Sequence, residues 1–255
     1  MKDERRYLSG GALTAPIPPA LVTVGDFDNA NIITIAWTGI LATIPPKTYI
    51  SVRPSRHSYG MLKESGEFVI NLPSVDLCKK VDYAGIYTGK KVDKWQKCSF
   101  TKQRSDKVKT PTIKECPIAL ECKVTEVVPM GSHDVFVADI VGVSCHESII
   151  DEDGKMRFER ADLLAYAHGE YYRLGEIVGR FGFSADKPKK QEKTKQNTEK
   201  EAKKEYKTNI NEEKKDEKSD KTPFYKSAPR GKSLKKKPTD KNKGAPHGRR
   251  TGGKK

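Results

Sequence analysis

The stretch that decides the fold runs from Val22 to Ser58 and reads VTVGDFDNANIITIAWTGILATIPPKTYISVRPSRHS. Together with the two residues before it, its apolar and β-branched runs predict strands at residues 20–24, 32–37 and 48–52, separated by segments of turn composition. A helix is expected over residues 56–64, with Ser55 as its N-cap and Gly66 at its end. This stretch is therefore a β-meander that leads into a short helix.

The rest of the first 186 residues continues the same pattern. Further strands are predicted at residues 67–72, 118–128 and 135–145, and the last two form a hairpin around a tight turn. Helical character is weaker and is confined to residues 75–83, whereas residues 88–98 read as a basic loop. Two further elements, at residues 161–167 and 176–182, are short. Many short strands with few short helices favour a mainly β fold, an antiparallel barrel, over a parallel α/β sheet.

Polar and aromatic side chains gather at two places in the opening stretch. Asn31, Thr34 and Trp37 lie on one predicted strand, and a group of serines and arginines follows about one strand later, formed by Ser51, Arg53, Ser55, Arg56 and Ser58. An aromatic face beside an anion-binding group would suit a flat, phosphorylated cofactor. A basic turn on an ordinary surface, with Trp37 in the core and Ser55 only capping a helix, would explain the same residues, and the residues alone leave both interpretations open.

The chemistry of the second group matches a phosphate dianion. A planar guanidinium can make paired hydrogen bonds to phosphate oxygens, so Arg53 and Arg56 could neutralise the charge. Ser51, Ser55 and Ser58 would add hydroxyl donors, and the N-terminus of the following helix would add backbone N–H groups. Trp37 would be a natural wall for a flat ring such as the isoalloxazine of flavin mononucleotide (FMN), and Asn31 and Thr34 could bond to its edge or its ribityl hydroxyls.

Charge divides the chain into two parts. The chain has 49 Lys and Arg against 34 Asp and Glu. Residues 187–255 hold 25 of the basic and 10 of the acidic residues, so residues 1–186 are neutral. The segment also has few apolar side chains and cannot bury enough surface to offset the entropy of ordering. We therefore expect one domain over residues 1–186 and a basic, lysine-rich, disordered tail over residues 187–255.

Several classes of protein are excluded or disfavoured by the motifs. The five cysteines form no CxxC pair, and His133, His146 and His168 lack metal-ligand spacing, so no metal site is predicted. The chain also lacks a P-loop, a GxGxxG fingerprint in its proper setting, a GxSxG elbow and an HExxH motif. Without a nucleophile or a metal of its own, an enzyme of this kind would rely on a bound cofactor. Reduced thiols, a charged N-terminus and no membrane-spanning run predict a cytoplasmic protein.

Seven sequence motifs occur in register over residues 12–183, including NxxTIAWTG at Asn31–Gly39, PPxxYISVRPxRHS at Pro45–Ser58 and GSHDVFVADIV at Gly131–Val141. With them the chain resembles the flavin reductase-like family, the FMN-binding split barrels, and within it the flavoredoxins. The resemblance implies an antiparallel split β-barrel that binds FMN. It also implies a homodimer with the cofactor near the subunit interface.

The resemblance also implies roles for individual residues. Asn31 and Trp37 would lie beside the flavin, and His133 and Tyr166 would lie near its ring. Toward the other end of the cofactor, Ser51, Arg53 and Ser58 would bind the phosphate, and Lys94 would add a cationic contact. A positive charge or donor near the ring, from Lys94 or His133, would favour the anionic reduced flavin. One position departs from the family pattern, since Ser132 stands where Asp is frequent.

Two functions follow as expectations. In the first, the domain is an oxidoreductase in which the flavin carries the chemistry: it accepts a hydride from NADH or NADPH and passes electrons to a protein, a metal complex or free flavin. In the second, the domain is a non-catalytic flavin-binding module whose basic tail binds nucleic acid or another acidic partner through counterion release. A solubilising tail without a partner would explain the tail's composition equally well.

Overall fold

Seven antiparallel strands form the main sheet in a computed structural model that describes residues 4–185. The strands of the chain are Ala20–Val24 (β1), Asn31–Ile35 (β2), Thr38–Thr43 (β3), Pro46–Val52 (β4), Glu67–Leu72 (β5), Lys102–Gln103 (β6), Thr112–Ile113 (β7), Ile118–Pro129 (β8), Asp134–Cys145 (β9), Leu164–Ala167 (β10) and Glu170–Arg173 (β11). The α-helices are His57–Ser65 (α1), Cys78–Ile86 (α2) and Lys94–Lys97 (α3). The prediction of a mainly β fold with a few short helices is confirmed.

The order of the strands places consecutive strands at the two edges of the sheet. It runs β2-β1-β5-β8-β9-β4-β3, and every neighbouring pair is antiparallel. The two edge strands, β2 and β3, follow each other directly in the chain, so Ala36 and Trp37 connect one edge of the sheet to the other. The backbone N–H of Ser51 donates to the carbonyl of Trp37 over 3.0 Å and continues the β3–β4 ladder into this connection.

The prediction for residues 32–37 was only partly right. Strand β2 ends at Ile35, Trp37 lies at the corner that follows, and a further strand, β3, was missed. It was missed because no turn residues separate it from β2: the chain crosses between sheet edges without a hairpin. Gly39 also weakens the β pattern. The corner matters because it carries Trp37 out of the ladder.

Burial follows the alternation of side chains along the central strands. Inside the barrel, Val22 and Val24 of β1 pack with Phe68 and Phe136, and all four are fully buried. The neighbouring side chain Leu21 points to the opposite face, where it packs with Val81 of α2 and Trp95 of α3. Because β1 is covered on both faces, all five of its residues are buried. Each large side chain contributes roughly 1.5–3 kcal/mol of transfer free energy.

The helix boundaries correct two details. Helix α1 begins at His57 with Arg56 as its N-cap, so the expectation that Ser55 caps it was wrong. The cap makes no side-chain hydrogen bond. The predicted end at Gly66 is confirmed: this glycine has φ of +62°, and its N–H donates to Leu62. A positive φ of this kind is the conformation that glycine adopts without a steric penalty.

The predicted basic loop at residues 88–98 contains the short helix α3. The Asp93 carboxylate caps it by accepting the N–H groups of Trp95 and Gln96 over 2.9 and 3.2 Å. The predicted helix at residues 75–83 is present as a 3₁₀ turn, Val75–Leu77, that runs into α2. Asp93, a residue type that often caps helices, two positions before the apolar Trp95 was the signal for α3, and the surrounding lysines obscured it.

Near its C-terminal end the described chain forms a hairpin of β10 and β11 beside the main sheet. The predicted element at 161–167 thus corresponds to β10, whereas residues 176–182 form neither helix nor strand.

No helix between residues 4 and 185 has both the length and the apolar composition to cross a membrane. The same part of the chain holds no cluster of His, Cys, Asp or Glu that could bind a metal ion. The predicted basic tail, residues 187–255, lies outside the described residues.

Candidate functional site

Two neighbouring cavities bring together all ten predicted site residues. The smaller cavity has a volume of about 200 Å³ and the larger about 440 Å³, and both are lined by Ile33, Arg53 and Arg56. The smaller cavity is also lined by the predicted residues Asn31, Ser58 and Lys94. The larger cavity is also lined by the predicted residues Thr34, Trp37, Ser51, His133 and Tyr166. The two groups identified in the sequence therefore meet at one place on the barrel.

The charges around both cavities are all of one sign. Arg53, Arg56 and Lys94 are the lysine and arginine side chains on their walls, and neither wall includes an Asp or Glu. Both arginines are exposed, and neither forms a salt bridge with a carboxylate between residues 4 and 185. Unpaired guanidinium groups that face a shared cavity create a site for an anion, and their planar donors suit phosphate oxygens.

Asn31 and Ser58 form the buried floor of the smaller cavity. Asn31 is 9% exposed and Ser58 1% exposed, and Asn31 Nδ2 donates to Ser58 Oγ over 2.9 Å. Because Ser58 Oγ accepts this bond, its own hydrogen is left for another acceptor. Asn31 is the first residue of β2, so the sheet fixes its position. Ser58 lies in the first turn of α1, which places the hydroxyl against the end of the sheet.

The loop after α2 closes the smaller cavity and was missed in the sequence. Tyr87, Thr88 and Gly89 line it. A Cβ atom at Gly89 would lie 2.4 Å from Oδ1 of Asn31, so only glycine allows the loop backbone to come so close. The sequence signal was the Thr-Gly pair at the end of a helical run, which is typical of a tight approach of backbone to a ligand or to another chain segment.

Lys94 reaches the smaller cavity from α3 but is anchored in the protein interior. It is only 3% exposed, and Nζ donates to the carbonyl oxygens of Ile32 and Ala84 over 2.7 and 2.6 Å. Burial and the nearby positive charge of Arg56 lower its pKa to about 8. The side chain thus ties β2 to α2, and two of its three donor positions are used in doing so.

An aromatic wall forms one side of the larger cavity. The side chain of Trp37 is 43% exposed, so it is not the core residue that tryptophan in a strand usually is. Its ring centroid lies 4.7 Å from that of His133, with 50° between the planes. The exposed ring offers an apolar surface to a flat ligand, and the corner between β2 and β3 holds it there.

The protonation state of His133 follows from its contacts. Arg53 Nε can only donate, so His133 Nε2 accepts over 3.3 Å, and Nδ1 carries the proton and donates to Ser132 Oγ over 2.9 Å. Burial, Arg53 and Arg56 lower the pKa of His133. The lowered pKa favours the neutral imidazole, and the expectation that His133 supplies a positive charge or a hydrogen-bond donor near the ring stays a prediction.

Tyrosines from the C-terminal hairpin also line the larger cavity. Tyr166 of β10 lies 5.3 Å from Tyr171 of β11, measured between ring centroids. Tyr171 was missed in the sequence; its hydroxyl donates to Asp82 of α2 over 3.1 Å, and burial raises its pKa. Thr34 is less available than expected, because its hydroxyl donates to the carbonyl of Val81 over 2.6 Å. It can offer only an acceptor to a ligand.

Comparison with known proteins places this chain in a family. Residues 13–175 match the family described as the flavin reductase like domain. The chain belongs to the flavin reductase-like family. Flavoredoxin of Desulfovibrio vulgaris is similar to it in structure, with 32% identity, a TM-score of 0.67 and coverage of 71% of this chain and 99% of that one. The family prediction and its flavoredoxin-like, split-barrel fold are confirmed.

Two other relatives extend the comparison. An FMN-binding protein of Thermus thermophilus, solved with bound 1-cyclohex-2-enone, has 27% identity and a TM-score of 0.59, with coverage of 69% of this chain and 99% of the other. An NADPH-flavin oxidoreductase of Streptomyces viridifaciens has 23% identity over 143 residues, which are 54% of this chain and 73% of the relative.

Proposed function

We propose that the domain binds FMN in the two adjoining cavities and acts as an NAD(P)H-dependent flavin oxidoreductase. The observation that carries this proposal is the convergence of the ten sequence-predicted residues on a pair of cavities, one rich in cationic donors and the other walled by aromatic rings. FMN is the cofactor that the family and the solved FMN-binding relative indicate.

The residues present fit this cofactor at both ends. A phosphate suits the smaller cavity, because Arg53, Arg56 and Ser58 supply donors and no carboxylate opposes them. A flat ring suits the larger cavity, where Trp37 and Tyr166 provide aromatic surface. Gly89 lets the loop backbone approach Asn31 where any side chain would collide with it.

Each group of residues has a distinct task in this proposal. When bound, FMN supplies the ability to accept a hydride and release electrons singly or in pairs. The arginines and Ser58 hold the phosphate and so fix the position of the cofactor along the two cavities. Trp37 orients the ring. Asn31 in the smaller cavity and Ser51 in the larger cavity offer further polar groups. His133, which accepts a hydrogen bond from Arg53, keeps that guanidinium positioned between the two cavities.

The redox partners are inferred from the family and its relatives. A nicotinamide cofactor is the proposed hydride donor, supported by the relative that is named as an NADPH-flavin oxidoreductase. The partly exposed face of Trp37 is consistent with a ring that a second planar molecule can reach from solvent. The electron acceptor would be a protein, a metal complex or free flavin.

A spectrum of the purified full-length protein tests this function. We expect a yellow protein with an absorption band at about 450 nm that bleaches when NADH or NADPH is added without oxygen. Apoprotein reconstituted with FMN should regain the band, and stopped-flow rates with each nicotinamide will identify the donor. A colourless preparation that takes up no FMN would contradict the proposal.

A homodimer is proposed from the same family and from one surface. Strand β3 lies at an edge of the sheet, and Ile40, Leu41 and nearby Ile44 are 63%, 52% and 71% exposed. An exposed apolar edge strand invites pairing with another chain. A second copy of this chain is the proposed occupant. Because Trp37 lies directly before β3, the second copy would then cover the surface next to the larger cavity.

A further inference from the structure

A short apolar segment follows the C-terminal hairpin and lies outside the site already described. Residues 174–183, here called the C-terminal arm, read LGEIVGRFGF and come directly after β11. Each large apolar side chain of the arm is more than half exposed, and those of Val178 and Phe181 are fully exposed. Contiguous apolar side chains in solvent usually mark a surface that another molecule covers.

The order of the residues in the arm has the period of a helix. Four apolar residues stand at positions i, i+3, i+4 and i+7, the spacing of one helix face: Leu174, Ile177, Val178 and Phe181. Glu176 and Arg180 are four residues apart and fall together on the opposite face. This pattern gives a helical form to the element that was expected at residues 176–182.

The arm nevertheless forms neither helix nor strand in this structure. Between residues 176 and 182 no backbone N–H donates to a backbone carbonyl of the described chain. The glycines at positions 175, 179 and 182 disfavour an isolated helix, and so does the short length of the arm. A helix of this kind forms when its apolar face packs against a partner. The exposure of that face shows that residues 4–185 of the same chain do not supply one.

A second uncovered apolar surface adjoins the same cavity as the arm. Strand β3 is an edge strand with exposed apolar side chains, and proteins often protect such edges by covering them with a helix. Trp37 lines the larger cavity and lies directly before β3. Tyr171 lines the same cavity, three residues before the arm begins. One chain therefore presents both a potential helix and an uncovered edge next to its larger cavity.

We propose that the C-terminal arm folds into a helix on strand β3 of a second copy of this chain. In a two-fold dimer each arm would take the other copy's β3, so two equivalent contacts form together. This rests on the homodimer in the proposed function, and it adds the segment that completes the interface. The docked arm lies beside the corner that carries Trp37, so both chains border the larger cavity.

The size of the contact favours a second copy that contributes its arm. A stable interface buries roughly 800 Å² on each partner, from about 20–30 residues a side. Strand β3 has six residues, which is too few by itself. The arm more than doubles the number of residues, and a ring such as that of Phe181 buries about 150–250 Å². Neither β3 nor the apolar face of the arm carries a charge, so this docking desolvates no charged group.

Two phenylalanines of the arm provide a matched pair of variants. In a helix Phe181 belongs to the apolar face and Phe183 to the opposite one, whereas in an irregular arm both are simply exposed. In the full-length protein, Phe181→Asp should raise the dimer dissociation constant about tenfold or more, and Phe183→Asp should change it by less than about twofold. Sedimentation equilibrium measures both. Equal effects of the two substitutions would overturn the helical docking.

Hydrogen exchange on the unmodified protein tests the folding of the arm without any variant. The amides of residues 178–182 should exchange about tenfold or more slowly well above the dimer dissociation constant than well below it. Protection that does not depend on protein concentration would mean that the arm folds on its own chain. Protection that requires phosphatidylglycerol vesicles, in a protein that stays monomeric, would assign the arm to a lipid surface. Either result overturns the proposal.

The outcomes also separate the arm from the rest of the proposed function. A protein that is monomeric at every concentration overturns the homodimer and the arm together. A dimer that Ile40→Lys dissociates and Phe181→Asp leaves intact keeps the contact at β3 and overturns the role of the arm. A dimer that depends on Phe181 but takes up no FMN contradicts the flavin function and supports the arm.

Discussion

Arg53 and His133 join the two cavities through one hydrogen bond, in which Arg53 Nε donates to His133 Nε2 over 3.3 Å. The same guanidinium lines both cavities, and the same imidazole packs at a tilt of 50° against Trp37. The cationic side of the site and its aromatic wall are therefore mechanically connected, although 80 residues separate the two partners in the chain.

Replacing this arginine should weaken FMN binding without unfolding the protein. Arg53 is exposed, and Arg53→Ala removes a charged partner of the phosphate, so the loss in binding free energy should be roughly 1.5–3 kcal/mol. Fluorescence titration of the apoprotein with FMN measures it. Arg104→Ala removes an exposed arginine outside both cavities and is the matched control. Equal FMN affinity in the two variants would show that the phosphate lies elsewhere.

The titration of His133 should respond to the same substitution. Burial, Arg53 and Arg56 lower its pKa, so in the apoprotein it should titrate below its ordinary value of about 6.5. Arg53→Ala should move the pKa of His133 upward, and Arg104→Ala should leave it unchanged. NMR titration of the imidazole, assigned with His133→Gln, measures both shifts. A pKa at or above 6.5 in the unmodified apoprotein would be inconsistent with the contact.

The stability consequence has a definite sign. A histidine whose folded pKa is lowered is held neutral by the fold, while the unfolded chain binds a proton as soon as the pH falls through about 6.5. The stability that neutral His133 contributes is therefore fully present above about pH 6.5 and declines as the pH falls toward its folded pKa. His133→Gln should reduce this part of the pH dependence in urea unfolding between pH 7 and pH 5.

Much of the fold and of the site could be read from the chain because local patterns dictated them. β-Branched runs predicted most strands, and Gly66 predicted the end of α1. The Ser51–Ser58 group was recognisable because it adjoins the strand and the helix that position it. What could not be read depended on long-range packing. Strand β3 lacks turn residues before it, and Tyr171 reaches the larger cavity only because the hairpin packs against α2.

Two site residues behave differently from expectation for the same reason. Thr34 and Lys94 were identified as ligand-binding side chains by their chemistry, and both do line the cavities. Their hydrogens, however, are largely used by the backbone carbonyls of Val81, Ile32 and Ala84. Those carbonyls lie near the start of β2 and within α2, and only the packed structure brings them within reach.

The close approach at Gly89 predicts a selective effect of one methyl group. In Gly89→Ala the new Cβ would lie 2.4 Å from Asn31 Oδ1 and 2.8 Å from Nδ2, so Asn31 must move and its bond to Ser58 is lost. We expect FMN affinity to fall about tenfold, equivalent to about 1.4 kcal/mol, with the fold retained. Calorimetric FMN titration and circular dichroism check the two parts.

A second glycine provides the matched control. Gly60 lies inside α1, where a Cβ would meet nothing within 4 Å, so Gly60→Ala should leave FMN affinity unchanged and stabilise the fold by about 0.4–1 kcal/mol. If Gly89→Ala binds FMN as well as Gly60→Ala does, Asn31 and the loop do not shape the cofactor site.

The exposed edge strand predicts the oligomeric state. The protein should elute as a species of about twice its chain mass of 28.5 kDa, and Ile40→Lys should shift it toward the monomer by placing a charge in the proposed contact. Phe158→Lys is the control, since Phe158 is also exposed, at 53%, but lies far from β3 in the chain. Light scattering coupled to gel filtration measures the masses. Dimers that persist in Ile40→Lys would place the contact on another surface.

Removal of residues 188–255 should leave flavin binding and reductase activity intact. Both cavities are lined only by residues up to Tyr171, and the chain through Phe183 forms one compact unit. The tail's excess of positive charge should instead govern binding to polyanions, which should be lost on truncation and should weaken steeply with salt in the full chain. FMN titration and RNA gel shifts on both proteins separate the two properties. A truncated protein that no longer binds FMN would mean that the predicted boundary near residue 186 cuts into the functional domain.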